Sequence, residues 1–165
     1  METVCVETTV VSYLVANPSP DPILAAHQHL TRHWWQAERT RYGYVTSQEV
    51  IREAGLGDAV MSRRRLEVLA TLTLTGVDES ARGLTRELMA TGILPATATS
   101  DALHVVVASQ HRLDFLLTWN CRHLANPRIA GKLRAFVEQH RLVLPEICTL
   151  VELMGESLDE IESDP

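Results

Sequence analysis

Three acidic residues and one amide stand out in this chain of 165 residues, at the ends of strand-like runs or on helix-like segments that follow them. Glu7 closes Val4-Cys5-Val6, and Glu53 lies in the segment after Gly43-Tyr44-Val45-Thr46. Asp101 opens a long apolar stretch, and Asn120 follows Phe115-Leu116-Leu117-Thr118-Trp119. Hard oxygen donors of this kind suit Mg2+ or Mn2+, which bind through a few carboxylates, retain waters and take the rest of their shell from phosphate. A metal so held polarises a phosphoryl oxygen, activates an attacking water and orients an in-line displacement, the effects that phosphodiester hydrolysis needs. Clustered carboxylates repel one another, so they share a pocket only with cations beside them or with protons taken up.

Taken singly, each residue has a plainer explanation. On spacing alone, Asp101 is more often a helix-opening acid favoured by the dipole of the first turn. Glu53 is more often a solvated helix residue, and Asn120 can be a turn cap. Glu49 lies one turn before Glu53 on the same helix and competes with it for an inward role. Glu7 is the hardest to dismiss, because a carboxylate in an apolar strand needs a partner. Residue type and spacing reach an α/β domain with an acidic site, and stop there.

The elements that must position these residues follow from the apolar pattern. Residues 3–8 read as a strand, 10–16 as a short helix ended by Asn17-Pro18-Ser19-Pro20, and 23–42 as a long amphipathic helix. A second strand at 43–46 leads into a helix over 48–54, capped by Thr46 or Ser47. Asp58 caps a helix over 59–68, and the alternating Ala70–Thr75 run reads as a third strand. Asp78 starts a helix through Ala90. Ser100 or Thr99 caps a central helix over 101–111, with His104 on the same side as Asp101. A fourth strand at 115–118, a helix from Asn126-Pro127 to about His140, a Pro145-interrupted edge strand within 142–148 and a last helical turn at 149–154 complete the chain. Helices separating short apolar strands predict one parallel sheet flanked on both faces, with ligands at the carboxyl ends of the strands.

Composition narrows the class. Fifteen basic against 21 acidic residues give a net charge of −6, which argues against a general basic coat for nucleic acid but not against a metal-dependent nuclease with a local basic patch. Residues 1–154 read as one domain. Residues 155–165 read as a flexible acidic tail, with Glu156, Asp159, Glu160, Glu162 and Asp164 and no basic residue. Cys5, Cys121 and Cys148 fit neither a disulfide framework nor a zinc pattern and are expected to be reduced, mostly buried thiols. No apolar run approaches the roughly 20 residues that span a bilayer. The N-terminal residues lack a basic leader, so a cytoplasmic protein is expected. Arg63-Arg64-Arg65, with Arg32, Arg39 and Arg41, could face phosphates, although a solvated face is the commoner use. His29 and His33 have ligand spacing without the glutamate or third ligand of a zinc site. Trp34 and Trp35 could stack bases, but core or interface packing accounts for them better. The long helix that carries them could serve homodimerisation or partner docking.

The segments VCVETTVVSYL, YVTSQEVIREAGLGD and SDALHVVVASQHRLDFLLTWNCRHLANP together resemble the PIN-domain ribonucleases, most of all the VapC-type toxins of bacterial toxin–antitoxin pairs. The resemblance spans roughly Val4 to Met154. It implies a three-layer α/β/α sandwich around a parallel sheet of four to five strands. It also implies Mg2+-dependent (or Mn2+-dependent) endonucleolytic cleavage of RNA, and a cognate antitoxin that covers the site. The family's first three acids then fall on Glu7, Glu53 and Asp101, and the fourth, in a Thr-x-Asp pattern, on Asn120 after Thr118. Thr8 becomes a supporting hydroxyl, and His104 and His123 neighbours of the site. Glu7 stands where Asp is usual and Asn120 is neutral, so three charges favour one metal over two. Water activated by the metal, without a histidine base, is the expected mechanism. The neutral Asn120 also keeps open a catalytically inactive RNA- or protein-binding scaffold, and the same carboxylates could serve a phosphatase.

Overall fold

The structure, a computed structural model, describes residues 1–38 and 40–155. Arg39 in the basic surface and residues 156–165 of the acidic tail lie outside the described residues.

The β-branched run Thr3–Val6 forms β1, and Phe115–Leu117 forms β4 beside it. Val4, Cys5, Val6, Leu116 and Leu117 are all buried, as strands covered on both faces must be. Gly43–Ser47 is β2, Thr73–Thr75 is β3 and Glu146–Cys148 is β5. These strands form one sheet in the order β3-β2-β1-β4-β5, and every neighbouring pair is parallel. Cys5 lies between Val45 and Leu116, which fixes the register of the three central strands.

The helices are α1 (Thr8–Val15), α2 (Pro22–Ala37), α3 (Gln48–Ala54), α4 (Ala59–Leu69), α5 (Glu79–Ala90), α6 (Thr99–Gln110), α7 (Pro127–Gln139) and α8 (Leu150–Met154). One core joins Leu84 and Leu88 of α5, Val105 and Val106 of α6 and Leu133 and Val137 of α7 to the sheet. The other joins Val10 and Val11 of α1, Trp34 of α2, Val50 of α3 and Leu150 of α8. Two cores on one sheet make a three-layer α/β/α fold. Its strands run outward from β1 in both directions, so the order reverses between β1 and β4. Connections there diverge, and open sheets of this kind bind ligands in the crevice over the carboxyl ends of such strands.

Several boundaries differ from the sequence pattern, each for a local reason. β1 stops at Val6 because Glu7 turns to cap α1, accepting from Thr9 N at 3.0 Å. α2 stops at Ala37, and Tyr42 packs into the core instead of continuing the helix. The alternating run Ala70–Thr75 supplies a strand only at Thr73–Thr75, because Ala70, Thr71 and Leu72 give their N–H groups to Leu66, Val68 and Leu69 at the end of α4. α6 begins at Thr99 after an Ala98 N-cap that offers no side-chain bond, so neither Ser100 nor Thr99 caps it. β5 is confined to Glu146–Cys148 and lies at the edge, just beyond Pro145.

Asp58 caps α4 as its sequence position predicts, accepting from Val60 N at 3.0 Å and Met61 N at 2.9 Å. Asp58→Ala is expected to lower the free energy of unfolding by about 1 kcal/mol, read from urea denaturation, without moving the site. Among the described residues, no helix is long and apolar enough to cross a membrane.

Candidate active site

The crevice receives one side chain from each of several elements. Glu7 arrives at the end of β1, Glu53 on α3 after β2, Asp101 in the first turn of α6, and Asn120 just beyond β4. The immediate turn from strand into helix at Glu7 and at Ser47 brings the first two to the sheet edge. Ser47 accepts from Val50 N at 3.3 Å and starts α3 directly on β2.

His104 is the hub. It is 2 % exposed, and its Nε2 lies 2.8 Å from Glu53 Oε2. Burial works against a charged imidazole, but the hydrogen bond and charge of Glu53, with Glu7 and Asp101 behind it, hold its pKa above the usual histidine value. The three acids named from the sequence are therefore all felt by one side chain. His104 Nδ1 is buried and has no hydrogen-bond partner.

Each acid has its own supports. Glu7 is 2 % exposed, and burial raises its carboxyl pKa, opposed by the charge of His104 and by hydrogen bonds from Thr9 and Thr118. The Thr9 hydroxyl donates to Glu7 Oε1, and the same oxygen of Thr9 accepts from Trp119 N at 2.9 Å, tying β1 to the end of β4. Glu53 receives the Thr8 hydroxyl at 2.6 Å. Burial would raise the pKa of Glu53, yet His104, Thr8 and Arg52 together hold it below the ordinary value. Asp101 Oδ2 accepts from Asn120 Nδ2 at 3.0 Å and lies 3.0 Å from His123 Nδ1, which joins α6 to the turn after β4. Asn120 Oδ1 accepts from His123 N at 3.1 Å, and Thr118 Oγ1 accepts from Asn120 N at 2.9 Å. The amide thus turns its nitrogen, not its oxygen, towards Asp101.

The competition between Glu49 and Glu53 is resolved by their partners. Glu49 is bound by Arg52 Nε at 2.9 Å and Nη2 at 2.6 Å, and receives Ser100 Oγ at 2.6 Å. It works as a clasp between α3 and α6, while Glu53 faces the crevice. Thr9 and this clasp were not singled out from the sequence. The only local signal for Thr9 is its place two residues after an acid at a strand end, a capping geometry.

Other sequence candidates have other roles or surroundings. Trp34 is fully buried, so the base-stacking use of that residue is excluded by packing. Arg65 spends its guanidinium on Ala54 O at 3.0 Å and Leu56 O at 2.6 Å, while Arg63 and Arg64 are exposed. Burial, with the nearby charge of Glu7, pushes the Cys5 thiol up to about 12. Burial, with Glu152 and Glu146, does the same to Cys148, so neither supplies a thiolate. Cys121 is exposed.

The donor set suits a hard divalent cation in its chemistry: carboxylates from three elements, one of them a buried carboxyl that its surroundings leave costly to ionise. Among the described residues, no three His, Cys, Asp or Glu side chains form a ready-made ligand set. Thr9, Thr8, His104 and Asn120 bond to the carboxylate oxygens, and the three acids favour the charged form of the His104 ring.

No family model matches the chain, and no curated protein matches it significantly. Solved structures do. Mycobacterium tuberculosis VapC20, a sarcin-ricin loop cleaving toxin, superposes with a TM-score of 0.58 at 12% identity, over 74% of this chain and 93% of that one. VapBC2 from Rickettsia felis, bound to a DNA fragment from its promoter, gives a TM-score of 0.55 at 11% identity, over 89% and 98%. The chain shares the VapC-like PIN fold of these proteins.

Proposed function

We propose that this chain is a metal-dependent endoribonuclease that cleaves RNA phosphodiester bonds in the cytoplasm, and the toxin of a toxin–antitoxin pair whose cognate antitoxin covers the crevice. What supports this reading is the bond of Glu53 to His104, on which the charges of Glu7 and Asp101 also act, at the end of the sheet where the strand order reverses. The fold shared with VapC20 and VapBC2 supports the same reaction class.

In this reading Glu7, Glu53 and Asp101 would hold one Mg2+ or Mn2+. When bound, the ion supplies Lewis acidity towards a phosphoryl oxygen and a water of lowered pKa. The chain's own groups hold the donors in place. Thr9 and Thr118 fix Glu7, Thr8 and His104 fix Glu53, and Asn120 and His123 fix Asp101. Asn120 therefore acts on the site through Asp101. Its neutrality leaves three formal charges around the crevice, a number matched to a single ion. Preorganised carboxylates of this kind need little rearrangement at the moment of reaction.

The test is cleavage of a single-stranded RNA oligonucleotide in Mg2+ or Mn2+ and in EDTA, beside a phosphomonoester. Cleavage of the RNA with metal and none in EDTA is expected. RNA binding without cleavage under any condition would replace the enzyme by a scaffold, and turnover of the phosphomonoester alone would replace the nuclease by a phosphatase.

A further inference from the structure

Three aromatic rings stand nearly parallel beside the crevice. Trp119, the residue before Asn120, stacks on His27 of α2 with centroids 4.2 Å apart and planes 14° apart. Tyr13 of α1 lies 6.0 Å from Trp119 and 6.2 Å from His27, its plane tilted by 27° and 19°. The indole is pinned. Its Nε1 donates to Thr31 Oγ1 at 2.9 Å, and its backbone N donates to the Thr9 hydroxyl that also holds Glu7.

Core packing accounts for Trp119, which is 7 % exposed and has its N–H satisfied. Tyr13 packs against the same core, but its ring and that of His27 are not enclosed by it. Tyr13 and His27 are only partly buried, and among the described residues neither ring's polar atoms have a hydrogen-bond partner in the protein. Stacking orients them, with Tyr13 also resting on the core. Tyr13 lies on α1, which Glu7 caps, and Trp119 precedes Asn120, so the stack stands beside the acids. Two oriented, half-exposed rings over a rigid third form a surface for a flat, neutral group. Unpaired nucleobases are such groups, and every base offers a π-face. The acids alongside disfavour a phosphate at the same spot.

We propose that Tyr13, His27 and Trp119 form a nucleobase subsite, in which one unpaired base of single-stranded RNA stacks on Tyr13 and His27 and so selects the nucleotide presented to the crevice. The subsite rests on the endoribonuclease reading for its ligand, and its test is arranged so that the two fail separately.

Binding of a labelled single-stranded RNA is read by fluorescence anisotropy in EDTA, where no cleavage is needed. Tyr13→Ala and His27→Ala are each expected to weaken binding about tenfold, the lower part of the range for loss of one base–aromatic stack, while Tyr13→Phe binds like the parent chain. A series of RNAs with one abasic nucleotide at each position in turn supplies the decisive comparison. At one position the abasic change should weaken the parent chain about tenfold and Tyr13→Ala hardly at all, because ring and base are two halves of one contact. Where cleavage occurs, the same variants should raise KM more than they lower kcat. Equal binding by Tyr13→Ala, or abasic and alanine losses that simply multiply at every position, would overturn the subsite. RNA that binds in this pattern but is never cut would leave the subsite standing and remove the nuclease.

Discussion

Asp101→Asn is expected to lower RNA cleavage by about a hundredfold to a thousandfold, the loss typical of removing one preorganised charge from a reacting centre. The substitution keeps shape and volume. Its side-chain oxygen can still accept from Asn120 Nδ2, now 3.0 Å from Asp101 Oδ2, so α6 stays tied to the turn after β4. The side chain is 17% exposed, and the change leaves no buried charge without a partner. The melting temperature should therefore stay close to that of the parent chain while the rate collapses, measured as initial rates on a fluorogenic RNA beside a thermal melt. Cleavage at the parental rate would separate Asp101 from the chemistry.

His104→Ala is expected to act on stability first, with a loss of about 3 kcal/mol in EDTA. The imidazolium offsets Glu53 directly at 2.8 Å and opposes the burial of Glu7, so removing it leaves two acids to share a crevice without their internal cation. It also opens a void beside the core of α6. Added Mn2+ should recover part of the loss and raise the melting temperature of the variant more than that of the parent chain, because the ion restores the missing positive charge. Denaturant titrations with and without Mn2+ measure both effects. An equal Mn2+ response in the two proteins would mean that His104 and the ion do not answer the same charge.

Much of this arrangement was legible in the residues. The apolar runs of β1 and β4, the caps at Ser47, Asp58 and Asp78, and the Asn126-Pro127 start of α7 are local signals, and the chain obeys them. Glu7 was conspicuous because a carboxylate amid valines demands an explanation. What the residues did not disclose depends on contacts far apart in the chain. Ser100 was expected as a helix cap, but its hydroxyl goes to Glu49 on another helix. Glu49 and Glu53 lie one turn apart on a helix, and only the position of Arg52 and His104 separates a clasp from a site residue. Alternation over Ala70–Thr75 looked like a strand because periodicity does not register that α4 still needs three N–H donors for its last carbonyls. The ring stack had no signal at all, since Tyr13 is on α1, His27 on α2 and Trp119 in the turn after β4.

The central claim is that the acids of β1, α3 and α6 take one divalent ion at the sheet edge. Crystals of the chain soaked in Mn2+ and measured at the manganese absorption edge test it most directly. One anomalous peak is predicted within bonding reach of carboxylate oxygens from Glu7, Glu53 and Asp101, at about 2.1–2.3 Å as hard divalent ions sit from oxygen. Manganese bound only elsewhere on the surface, with none of these three carboxylates within bonding reach of it, would contradict it.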